Sequence, residues 1–77
     1  MSKMNIELEQ SETKILLEAL VALEKKYVEI CNSSEDEDEV ADFGNDLIEL
    51  RLLLNPLKEK AVKIFGKDVL NFSREPL

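Results

Sequence analysis

The chain has no histidine, no tryptophan and a single cysteine, and only two glycines and two prolines among its 77 residues. Each scarcity excludes something. One cysteine rules out an internal disulfide. One cysteine without histidine also removes the usual ligands of a structural zinc site. The Glu-x-x-His pairs that build metal centres inside helical bundles fall for the same reason. Few glycines and prolines leave few turns, while alanine, leucine, glutamate and lysine are abundant, which favours helix. Long apolar runs are missing too. The densest stretches, Ile15 to Leu23 and Leu47 to Leu54, are short and carry charge, so neither spans a bilayer. The opening Met1-Ser2-Lys3-Met4-Asn5 does not resemble a signal peptide. The expectation is a cytoplasmic protein with no membrane contact and no cofactor.

A chain of this length forms one domain and buries only about 60% of its unfolded surface, so a lone core is marginal. Disulfides and structural metals are the usual supplements, and both are excluded. Close helix packing and association with a second chain remain.

Positive charge is scarce as well. The formal net charge is −7, which argues against direct binding of nucleic acid or an anionic membrane. It leaves room for a basic protein partner. The distribution is uneven. Residues 27–50 hold nine acidic side chains and no basic one, whereas residues 51–67 hold five basic and one acidic.

What the chain does have is apolar periodicity. Val40, Phe43, Leu47, Leu50, Leu54, Leu57, Ala61 and Ile64 alternate in steps of three and four, the seam of a helix packed on other helices. The seam passes through Pro56. Asn55-Pro56 can start a helix, yet the phase is kept on both sides, so a kink or tight break is expected there. An earlier helix is predicted over 11–31, with Ser11 as its N-cap and Leu16, Leu20, Leu23, Tyr27 and Ile30 as its seam. Leu17 and Val21 lie off that seam on a second apolar face, which needs a second neighbour. Asn32-Ser33-Ser34 forms the loop, and either serine could cap a second helix over 35–65. Gly44 inside that helix predicts close approach of another helix. Gly66 predicts its C-cap. Residues 1–10 read as a flexible arm. Residues 67–77 read as a tail able to dock through Val69, Leu70 and Phe72, with Pro76 in a mobile end. The fold class expected is all-α, an antiparallel hairpin that dimerises into a four-helix bundle.

The acidic run Glu35, Asp36, Glu37, Asp38 and Glu39 is the loudest charge feature. Acids at a helix start complement the positive end of the dipole, and the lysines lie toward the other end. Asp42, Asp46 and Glu49 extend the negative face beyond what the dipole needs, and point to a protein partner. Calcium binding fails on spacing, because from Asp36 the sixth position is Ala41 and the twelfth is Leu47. Nothing in the sequence sets a pair of carboxylates into a pocket for acid–base work. Cys31, at the end of the first helix, reads as a small boundary residue.

The stretch Ile30-Cys31-Asn32-Ser33-Ser34-Glu35-Asp36-Glu37 resembles the helix-loop-helix junction of colicin immunity proteins, small acidic inhibitors of DNase toxins. The resemblance covers eight residues. The tyrosine pair flanked by glycine and proline that follows in that family is absent, and no residue role is carried over. The functional expectation is therefore a non-enzymatic interaction module, a regulator or adaptor with an acidic helical face. The alternative is an acidic nucleic-acid mimic that inhibits a DNA-binding protein.

Overall fold

A computed structural model describes residues 2–72. It contains two α-helices and one short 3-10 helix, and no strand among the described residues. Helix α1 spans Gln10–Ser33, helix α2 spans Glu37–Phe65, and the 3-10 segment spans Lys67–Leu70.

The helix starts differ from the sequence expectation. The N-cap of α1 is Glu9, two residues before Ser11. Its backbone N–H donates to the Glu12 carboxylate at 3.0 Å, one half of a capping box whose other half is the Glu9 carboxylate accepting the Glu12 N–H. Thr13 is buried in the next turn, with its hydroxyl donating to the Glu9 carbonyl at 2.9 Å. Helix α2 is capped by Asp36, not by Ser33 or Ser34, and begins at Glu37 rather than at residue 35. The Asp36 carboxylate accepts the backbone N–H groups of Asp38 and Glu39 at 2.9 and 3.4 Å. The serines act on the loop instead. The Ser33 hydroxyl donates to the Glu29 carbonyl and prolongs α1, while the Ser34 hydroxyl accepts the Asp36 N–H. Asp36→Ala is accordingly expected to lower stability by about 1 kcal/mol, the usual worth of a cap. Ser33→Ala should stay within about 0.5 kcal/mol. Urea unfolding followed by helical ellipticity separates the two.

Helix α2 runs through Asn55-Pro56 as one continuous helix. Proline has no N–H for the carbonyl four residues earlier, that of Leu52. Leu52, Asn55 and Pro56 are all exposed, so water can serve that carbonyl. At the other end Gly66 adopts φ 89°, a conformation that favours glycine, and its N–H donates to the Val62 carbonyl at 2.8 Å. The chain then turns back into the 3-10 segment.

The two long helices pack antiparallel, with a register fixed by contacts along their length. Near the loop the Cys31 thiol lies 3.9 Å from the Val40 carbonyl. The Tyr27 and Phe43 rings stand 5.4 Å apart at 52°. Further along, Glu24 pairs with Arg51 at 2.9 Å. At the open end Leu17, Leu54, Ala61 and Val69 form the core, flanked by half-buried Leu20, Val21, Leu57, Val62, Phe65, Leu70 and Phe72. The 3-10 segment inserts Val69, fully buried, against both helices. Pro76 lies outside the described residues.

The packed face of α1 differs from the expected seam. Leu17, placed off the seam by its spacing, is fully buried, whereas Leu16, Leu23 and Ile30 are only half-buried. The packed face runs through Thr13, Leu17, Leu20 and Glu24, about 70° round the helix from the predicted line. On α2, Leu50, Leu54 and Ala61 are buried and Val40, Phe43, Leu47 and Leu57 half-buried. Ile64 departs from the seam: it is 60% exposed. Gly44 has open space where a Cβ would stand, so no helix of this chain approaches it.

The result is a plate of 43 × 40 × 17 Å with a radius of gyration of 14.9 Å. A compact domain of this length has a radius of about 11.5 Å. The accessible surface is 6596 Å², against about 4,800 Å² for a compact monomer of this mass. The chain is a single helical layer that leaves apolar side chains in solvent, among them Ile15, Ile48, Leu52, Leu53 and Ile64.

Candidate functional site

Two surface features stand out, one charged and one apolar. The charged feature begins at the α2 N-terminus. Asp36 is held in place by its capping bonds, and Glu37, Asp38 and Glu39 fill the first turn. Those positions follow from helix physics alone, since backbone N–H groups there lack internal partners and favour negative charge. Past the first turn that explanation stops. Asp42, Asp46 and Glu49 lie two to four turns along, beyond the reach of the terminal dipole. With Asp38 they recur at steps of three and four, so they share one flank of the helix. Glu35 and all seven other predicted acidic residues are exposed. Among the described residues no cation of the chain pairs with Asp42, Asp46 or Glu49. Arg51, the nearest base on α2, is turned toward α1 and engaged by Glu24.

The apolar feature is a groove of about 580 Å³ at the open end of the hairpin. The arm supplies Met4, Ile6 and Leu8, α1 supplies Leu16 and Leu20, and α2 supplies Leu53, Leu57 and Ile64, with Lys60 at the rim. Residues 2–9 have no regular structure, yet they close one side of the groove. The sequence reading places Ile64 in the seam, for core or dimer packing, and gives Leu53 no role. The signal was present: Leu53 and Ile64 each lie one position from the buried row, at spacings that continue the acidic flank.

No group of three or more His, Cys, Asp or Glu side chains among the described residues is placed to hold a metal ion. Cys31 is half-buried, with its thiol directed at the Val40 carbonyl, a geometry that serves the loop. No helix among the described residues is long and apolar enough to cross a membrane.

No protein-family model, curated protein or solved structure matches this chain. Function is therefore argued from the surface alone.

Proposed function

We propose that this protein is a small, non-enzymatic interaction module, a regulator or adaptor that works as a homodimer and offers an acidic helical face to a basic protein partner. The observation that carries the reading is the continuation of negative charge beyond the helix start. The cap and dipole account for Asp36 to Glu39, but not for Asp42, Asp46 and Glu49. Three exposed acids on one flank, with no cation among the described residues paired to them, cost folding energy through mutual repulsion. Complementary charge on another molecule would relieve it.

The dimer belongs to the same reading. Two hairpins packed by a two-fold axis make a four-helix bundle, and the excess surface of the single layer supports such a second layer. Pro56 fits as a bend on the exposed side of α2, which would curve the helix around the core. A cytoplasmic location is consistent with a chain that relies on neither disulfides nor a membrane.

A second reading is favoured by the shape of the acidic stripe. Asp38, Asp42, Asp46 and Glu49 run along about 16 Å of helix, long enough to stand in for a short row of phosphates. A nucleic-acid mimic would bind its target with a steep salt dependence and be displaced by DNA. An adaptor's binding would be less sensitive to salt and would depend on apolar residues.

The test replaces Asp42, together with Glu35 to Glu39, by amides. Asparagine caps a helix as well as aspartate does, so the hairpin should keep its helicity. Affinity capture from native lysate with the wild-type chain and the amide variant side by side should recover partners with the former and lose them with the latter. Partners that survive the substitution would reduce the acidic run to a helix start.

A further inference from the structure

The groove and the extended flank of α2 adjoin each other, and they join into one pattern. Asp46, Glu49, Leu53, Leu57, Lys60 and Ile64 recur at steps of three and four, so they share a flank. Acids occupy its N-terminal part, leucines its middle, and lysine and isoleucine its C-terminal part. Read backwards, the pattern is its own complement. Leu53 is 56% and Ile64 60% exposed, and among the described residues only the arm borders them, along one side of the groove.

We propose that this flank docks antiparallel onto the same flank of a second copy, with the two-fold axis crossing between Leu53 and Leu57. Leu53 then meets the partner's Leu57, and Asp46 and Glu49 flank the partner's Lys60. The axis repeats each contact, as an isologous interface requires. A parallel arrangement would set acids against acids and lysine against lysine, which costs several kcal/mol in the free energy of association. A wholly basic partner would suit Asp46 and Glu49 but would meet Lys60 with like charge and leave the leucines uncovered. The surface of 6596 Å² exceeds that of a compact monomer by about 1,800 Å², and a stable interface takes about 800 Å² from each partner. The extended arm contributes to the excess, and it borders the same groove.

This inference rests on the homodimer reading and assigns its face. It also divides the acidic residues, committing Asp46 and Glu49 to the second copy and leaving Asp42, with Glu35 to Glu39 at the hairpin loop, for the basic partner.

The experiment is a charge swap read by sedimentation equilibrium on the full chain. Glu49 and Lys60 are both exposed in the single hairpin, so Glu49→Lys and Lys60→Glu leave it folded, which ellipticity verifies. Each single swap places like charges across the axis twice and is expected to weaken the dimer at least about tenfold. The double swap restores opposite charges and should return the dissociation constant to within about threefold of wild type, a difference below 1 kcal/mol. Single swaps without effect, or a double swap without rescue, would overturn this face while leaving a dimer through another. A monomeric wild-type chain would overturn the dimer itself.

Discussion

Leu54→Ala lowers the unfolding free energy by about 3–4 kcal/mol, the cost of removing a fully buried leucine from a core that cannot collapse around the gap. Leu54 has no exposed surface and meets Leu17, Ala61 and Val69 at the open end of the hairpin. A core in a chain this short rarely supplies more than about 3–5 kcal/mol. The variant should therefore sit near its unfolding midpoint at room temperature, with much of its helical ellipticity gone. Leu53→Ala, one residue away but 56% exposed, should cost under about 1 kcal/mol in the monomer. Urea titration of both variants reads the contrast. Equal effects at the two positions would mean that the buried face of α2 is assigned wrongly.

Val69→Asp is the second large effect. Val69 is fully buried and comes from a four-residue 3-10 helix, which has little stability of its own. A carboxylate there would sit among Leu17, Leu54 and Ala61, and burying an unpaired charge costs several kcal/mol. Two responses are open to the chain: it unfolds, or it releases the segment after Gly66. Either exposes Leu17, Leu54 and Ala61 and lowers stability by at least about 3 kcal/mol. Thermal unfolding measures the loss. An unchanged midpoint would show that the 3-10 segment lies on the core without completing it.

Much of this fold is legible in the residues. The alternation from Phe43 to Ala61 places α2 and most of its buried row. Gly66 marks the end of α2, and Val69, Leu70 and Phe72, three apolar residues in four, mark a segment that docks. The errors have physical causes. Both Leu16 and Leu17 begin rows of apolar residues, and spacing alone cannot say which row meets α2. The choice depends on where Phe43 and Arg51 find Tyr27 and Glu24 across the hairpin. The caps went astray because Ser11, Ser33 and Ser34 are good caps by type, while Glu9 and Asp36 had the better position. Gly44 is expected to allow close approach of another helix, and no neighbour among the described residues stands over it.

The candidate site was half legible. The acidic residues announce themselves by composition, and their exposure follows from charge. The groove does not, since it depends on an irregular arm that no periodicity describes. Ile64 is the instructive residue. It keeps the phase of the seam, but α1 begins at Gln10 and the 3-10 segment turns in under Ala61, so Ile64 borders the arm's groove and stays 60% exposed. A residue that keeps core phase and stays exposed marks where one chain's packing ends and another's could begin.

The central claim is that this hairpin is one half of a folded unit. Sedimentation equilibrium of the wild-type chain at micromolar concentration, with ellipticity recorded on the same samples, tests it most directly. The account predicts a mass of twice the 8.8 kDa of one chain, falling toward that of one chain as dilution separates the copies. A fully helical, cooperatively folded monomer of 8.8 kDa would contradict it.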